Sequence, residues 1–324
     1  MPGGTRRLGE FELIHELFAP LAAPGGFGLT DDAAIISPPE GSDVVVTKDM
    51  MVSGVHFLPG DPPDLVARKL LRVNLSDLAA MGAVPHGYAL GLSLPPEIDD
   101  AWLRAFAAGL AADQREFGIA LLGGDTTSTP GPLTLSLTAF GFARTGRLLR
   151  RAGARPGDVV FVTGTIGDAA LGLRALRGEV DDPDGALVSR YRLPLPRVAL
   201  GVTLPDIASA GLDVSDGLVA DLGHLCAVSG VGAVIDATLV PMSSQVRRAL
   251  DREPALIEAV LGGGDDYELV FSVPPANIGE LERHASGVDL AVTRIGSIEA
   301  GEGVRVIDGT GRDITPRTTG FRHR

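Results

Sequence analysis

Arg144–Asp158 reads RTGRLLRRAGARPGD, a basic, glycine-bearing stretch poor in apolar residues. Such a segment buries little surface, which is how boundaries between compact units read in sequence. It divides a chain of 324 residues, longer than one hydrophobic core usually serves, into a domain over 1–148 and a domain over 149–324. Upstream of it, Leu133–Phe142 and Ile119–Leu122 read as strands around a loop rich in Gly, Thr and Pro. Ile98–Phe117 reads as an amphipathic helix, with Asp99 and Asp100 at its positive end. Tyr88–Leu94 is a further strand, and Asp61-Pro62-Pro63 opens a helix that runs into LVARKLLRVNLSDLAAMG. Val44–Thr47 and Ala33–Ser37 read as short buried strands on either side of a Pro-Pro turn, and residues 10–19 as a helix. Downstream, strand Val159–Thr163 leads to helix Ala169–Arg177. A helix then follows Ser215-Asp216-Gly217, with strands near 268–273 and 291–298. Strand and helix do not alternate strictly, which favours a mixed α/β chain of the α+β class in two domains.

A content of 45% hydrophobic and 21% charged residues places the chain among globular rather than disordered proteins. Acids outnumber bases by 41 to 28, a formal net charge of -13 that repels nucleic acid and anionic lipid alike. Neither partner is expected. The longest uncharged stretch, Ala79–Pro96, is interrupted by glycines and prolines and does not read as a membrane span. The single cysteine, Cys226, has no intramolecular partner, and no secretory signal is read in the first residues, so a reducing cytoplasm is the expected setting.

Absent motifs narrow the chemistry. The chain has no G-x-x-x-x-G-K-[ST] loop, no G-x-G-x-x-G after a strand, and no kinase H-R-D or D-F-G. What it has is aspartate in turn-like contexts after apolar runs: Asp31-Asp32, Asp49, Asp77, Asp125, Asp213 with Asp216, and Asp265-Asp266. Helix capping or an Asx turn accounts for any one of these singly. Together, in both halves, they resemble an oxygen-ligand set for hard cations such as Mg²⁺. Gly123-Gly124-Asp125 and Gly262-Gly263-Gly264-Asp265 add turns where backbone can approach a phosphate closely. Only Lys48 and Lys69 are lysines, so metal rather than ammonium is the expected counter-charge. Arg151 is a further cation for a polyphosphate, and His56, two residues past Gly54, is a candidate substrate contact on an exposed turn.

Seven ordered motifs carry a resemblance. They are GLTDDAA (Gly28–Ala34), TKDMMVSGVHF (Thr47–Phe57), VNLSDLAAMGAVP (Val73–Pro85), LGGDTT (Leu122–Thr127), RAGARPGD (Arg151–Asp158), DVSDGL (Asp213–Leu218) and GGDDYEL (Gly263–Leu269). In these the chain resembles the thiamine-monophosphate kinase family, within the superfamily of aminoimidazole-ribonucleotide synthetase, from Gly9 to Phe321.

The resemblance implies ATP- and Mg²⁺-dependent phosphorylation of thiamine monophosphate to thiamine diphosphate, the last step of thiamine diphosphate synthesis. It implies an N-terminal sheet-plus-helices domain that pairs across a homodimer into a β-barrel, and a C-terminal α/β sandwich domain. The family's ligands for several Mg²⁺ ions fall on Asp32, Thr47, Asp49, Asp77, Asp125, Asp213 and Asp216, of which Asp49, Asp125 and Asp216 are read as catalytic. Its ATP contacts fall on Phe117, Gly124, Asp125, Arg151 and Ser215, and its substrate contacts on His56, Asp265 and Phe321. Four positions depart from the family's usual residues: Thr30 for Gly, Lys48 for Thr, Asp265 for Glu and Phe321 for Tyr. The alternatives are another ATP-dependent member of the superfamily, or a non-catalytic, metal-stabilised protein that keeps the fold.

Overall fold

A computed structural model of the chain describes residues 8–316 and Gly320. Two compact units emerge, one built on residues up to Leu75 and on Pro85–Phe142, the other on Ser76–Val84 and the chain from Ala143 onward.

In the first unit, alternation in β4 (Thr134–Arg144) buries Leu135, Leu137 and Ala139 and leaves Ser136, Thr138 and Phe140 half-buried. That period of two fits a strand with only one face packed. β4 lies between β1 (Ser42–Val52) and β2 (Val84–Leu94), and β3 (Ala120–Ser128) completes a four-stranded sheet of order β1-β4-β2-β3. β2 and β3 run parallel, which requires a crossover, and the crossover is α2 (Asp100–Phe117). Asp99 caps that helix, its Oδ1 accepting from the Trp102 amide at 2.8 Å. The expected Asp61-Pro62-Pro63 start opens α1 (Pro63–Ala80). Arg72 of α1, buried to 1% exposure, clamps the fully buried Asp113 of α2 with Nε–Oδ2 at 2.7 Å and Nη2–Oδ1 at 2.9 Å. Such a bidentate pair costs desolvation and gains mainly geometry.

In the second unit, β5 (Val159–Thr163) and β8 (Leu269–Val273) are buried at every position. Largely apolar runs of this kind, buried throughout, belong to strands covered on both faces. They lie at the centre of a six-stranded sheet of order β10-β7-β9-β5-β8-β6, with β6 spanning Ala210–Asp213, β7 Gly232–Asp236, β9 Val292–Glu299 and β10 Gly303–Ile307. One face carries Val160, Val162, Leu212 and Val270 against Leu218, Leu222 and Leu225 of α5 (Leu218–Ser229). The other carries Phe161, Phe271 and Val273 against Leu149, Leu200, Leu204 and Leu281. Each fully buried side chain of that size contributes roughly 1.5–3 kcal/mol. Helices α3 (Asp168–Leu176), α4 (Ala186–Arg192), α6 (Ser244–Arg252) and α7 (Ile278–Gly287) complete this unit. Cys226 is free and buried.

Four sequence expectations change. Ala33–Ser37 is not a strand: Ile35 is 59% exposed, and its amide bonds only to Gly25 O. Residues 10–19 pass from an α-turn over Glu10–Leu13 into a π-turn over Ile14–Phe18, just ahead of Pro20. The loop expected after Leu122 is instead the continuation of β3 through Ser128, because the β2 backbone pairs with it up to Leu94↔Ser128. Asp77 lies within α1 rather than in a turn. Among the described residues, no helix is long and apolar enough to cross a membrane.

Candidate active site

Each unit carries its own acidic set. In the first, a cleft is lined by Asp31, Asp32, Gly123, Gly124 and Asp125 over an apolar floor that includes Phe18, Leu92 and Leu122. The segment before Asp31 and Asp32 lies against β3. A Cβ on Gly26 would stand 2.7 Å from Leu122 O. Only glycine therefore lets the Pro24–Leu29 turn settle against β3. Phe27 and Leu29 take φ of 50° and 60° in the same turn, a left-handed conformation non-glycine residues seldom adopt. Thr30 sits at φ −105°, so its side chain adds no backbone strain.

On β1, alternation places Thr47, Asp49 and Met51 on one face and Val46, Lys48 and Met50 on the other. The Lys48 ammonium donates to Ser136 Oγ on the neighbouring strand β4. Asp125 pairs in register with Gly91 of β2, a residue with no side chain to shield it. His56 follows a turn at Gly54 (φ 83°), and its Nδ1 accepts from the Val52 amide at 3.1 Å. An accepting Nδ1 carries no proton, so in the neutral ring the proton sits on Nε2. Phe117 is not among the residues lining the cleft; its ring lies under the Arg72 guanidinium, 5.0 Å from centroid to Cζ.

The second unit brings together Ser76, Asp77, Asp213, Ser215, Asp216 and Asp265. Ser76, next to Asp77 on α1, donates from Oγ to Asp213 Oδ2 at 2.7 Å. Asp213 ends β6, and the turn after it delivers Ser215 and Asp216 to the start of α5. Ser215 O accepts from the Asp265 amide at 2.8 Å. A Cβ on Gly264 would fall 2.2 Å from Ser215 O, so the two acidic turns touch only because that residue is glycine. Gly320, adjoining Phe321 in sequence, packs against the Asp216 backbone and Ala220. Phe321 itself lies outside the described residues.

Two residues join this set that the sequence motifs did not single out. Asp221 and His224 bring ligand atoms to within 4.8 Å of Asp216, among the described residues. Asp221 Oδ2 accepts from the amides of Asp216 (2.9 Å) and Gly217 (3.0 Å) and so shapes the turn. Burial pushes the Asp221 carboxyl up to about 6, the two amides opposing and the Asp216 charge adding to the shift. Arg151 stands near enough to lower it. The spacing Asp216, Asp221, His224 on a helix start was the available signal. Asp266 is a capping residue: its carboxylate accepts from the amides of Gly167 (2.7 Å) and Ala169 (3.2 Å), and burial pushes it up to about 8.

The first unit thus carries Asp49 and Asp125 on strands, and the second carries Asp213 at a strand end and Asp216 just ahead of α5. Residues 30–143 match the family described as AIR synthase related protein, N-terminal domain, and residues 155–309 its C-terminal domain. A thiamine-monophosphate kinase of Caulobacter vibrioides is 46% identical over 319 residues, covering 97% of this chain and 90% of that protein. The crystal structure of thiamine-monophosphate kinase from Stenotrophomonas maltophilia K279a is 45% identical with a TM-score of 0.80, over 86% of this chain and 89% of that one. A structure described as AaThiL complexed with AMPPCP and TMP is 31% identical with a TM-score of 0.76, over 99% of this chain and 100% of that one. The chain belongs to the thiamine-monophosphate kinase family.

Proposed function

We propose that this chain transfers the γ-phosphoryl group of ATP to thiamine monophosphate, giving thiamine diphosphate and ADP. One observation carries the reading: a thiamine-monophosphate kinase is 46% identical over 97% of the chain, a span that includes both acidic sets. The acceptor is a phosphate monoester with a second pKa of about 6. Its attacking oxygen is already ionised at neutral pH, so no side chain has to remove a proton. The new P–O bond forms in line as the bond to ADP breaks, without a phospho-enzyme.

The roles follow the family positions. Asp32, Thr47, Asp49 and Asp125 of the first unit, and Asp77, Asp213 and Asp216 of the second, are the metal ligands, with Asp49, Asp125 and Asp216 nearest the chemistry. Carboxylate and hydroxyl oxygens at every position are a donor set suited to Mg²⁺. Several Mg²⁺ ions bound there supply the positive charge that lets two phosphate polyanions approach. Gly124, Asp125, Arg151, Ser215 and Phe117 hold the nucleotide, and His56, Asp265 and Phe321 hold the thiamine moiety.

A coupled ADP-release assay tests the reading. Turnover is expected with thiamine monophosphate and absent with thiamine, whose hydroxyl requires a base that these residues do not supply. Equal rates with both acceptors would overturn it.

The same reading takes the working form to be a homodimer in which the four-stranded sheets of two copies close a barrel. Val44, Val46 and Met50, 41%, 57% and 52% exposed, line the open face of β1, an edge strand. Exposed apolar rows on edge strands are what association covers. Val46→Glu is expected to halve the mass measured by light scattering while the circular dichroism spectrum stays unchanged. A dimer that survives the substitution would exclude this face.

A further inference from the structure

The segment from Gly264 to Glu268 alternates between strain and anchorage. Asp265 and Tyr267 take φ of 72° and 50°, in the left-handed region that non-glycine residues enter at a cost and that gathers at functional sites. Asp266 and Glu268, interleaved with them, are 1% and 0% exposed. Asp266 is fixed by the Gly167 and Ala169 amides at the start of α3. Glu268 accepts from Arg190 Nη2 at 2.8 Å, Arg197 Nε at 2.6 Å and Thr163 Oγ1 at 2.6 Å. The backbone is fixed as well: the Asp265 amide bonds to Ser215 O and the Tyr267 amide to Val214 O, each at 2.8 Å. Two buried acids thus hold a strained backbone in place, and the strain falls on the half-exposed residue that precedes each of them. These two meet, the Tyr267 hydroxyl donating to Asp265 Oδ1 at 3.2 Å.

We propose, building on the functional reading above, that Tyr267 is a positioning residue for substrate recognition. Its hydroxyl holds the Asp265 carboxylate in one orientation toward the cationic, amine-bearing rings of thiamine monophosphate. The geometry gives the shorter acid a purpose. Aspartate is among the few side chains that accept a left-handed φ readily. At this length its Oδ1 lies within reach of a hydroxyl two residues on. A fixed carboxylate loses less freedom when substrate binds, so the gain falls in ground-state binding of one substrate only.

Tyr267→Phe removes the hydroxyl and keeps the ring. The KM for thiamine monophosphate is expected to rise about three- to tenfold, the scale of one ordinary net hydrogen bond. The kcat at saturation, the KM for ATP and the thermal midpoint stay at wild-type values. In an Asp265→Asn background, where the acceptor's charge is gone, Tyr267→Phe adds no further rise. An unchanged KM in the single variant overturns the proposal. So does an equal, additive rise in the Asp265→Asn background, or a joint rise in both KM values, which marks a merely structural role. Wild-type turnover of thiamine monophosphate reports on the functional reading, and the variant-to-wild-type KM ratio reports on Tyr267 alone.

Discussion

Asp216→Asn is expected to lower kcat by at least about a hundredfold, the scale seen when one preorganised electrostatic contact is lost from a transition state. Its thermal midpoint is expected to stay level or rise. The two effects part because of where Asp216 sits. Its carboxylate is one of three groups with ligand atoms within 4.8 Å of one another, and its charge raises the pKa of the buried Asp221 beside it. In the absence of metal that proximity is repulsive, so neutralising Asp216 relieves the folded state rather than weakening it. The turn survives, since Asp221 bonds to the Asp216 amide and not to its side chain. Activity and melting measured on the same preparation, across a Mg²⁺ titration, decide the matter. A folded variant with retained turnover and unchanged Mg²⁺ dependence would remove Asp216 from the metal set.

Glu268→Ala is expected to have the largest effect on stability, about 3–5 kcal/mol, because it breaks a buried ion pair on one side only. Arg190 and Arg197, 18% and 17% exposed, lose their shared carboxylate, and Thr163 Oγ1 loses its acceptor. Thr163 Oγ1 also receives the Leu269 amide at 2.8 Å, so the damage reaches the start of β8. Around this carboxylate the packing leaves no room for a substitute: a Cβ on Gly164 would stand 2.2 Å from Glu268 Oε1. A loss of this size lowers the thermal midpoint by roughly 10 °C in a unit of this length. Urea melts that place the change below about 1 kcal/mol would mean that the two guanidinium groups find other partners. Glu268→Gln, which keeps the volume and two acceptor lone pairs, is expected to lose less.

The acidic residues separate into two kinds that sequence spacing does not distinguish. Asp265 and Asp266 are neighbours in one motif, yet one sits in a strained turn bonded to Tyr267 and the other is buried, capping α3. Asp221 lies outside every quoted motif and shapes the Asp216 turn. Helix capping, the modest explanation open to each aspartate, is thus the actual role of Asp266, while Asp216 sits in the metal-competent group.

Sequence by itself determined the family, through seven ordered motifs, and the local elements whose causes are local. The Asp99 cap, the proline-led start of α1 and the largely apolar runs of β5 and β8 each carry their own physical reason. Tertiary structure decided what depends on a distant partner. β3 stays extended through glycine and threonine because β2 supplies its hydrogen bonds, and Ala33–Ser37, whose Ile35 amide bonds to the turn residue Gly25, is not a strand despite its apolar residues. Ser76–Val84 belongs to the second unit although it precedes β2 of the first, because Ser76 bonds to Asp213, 137 residues away. Backbone pairing, burial and charge compensation are set by neighbours in space, and a reading confined to neighbours in sequence cannot supply them.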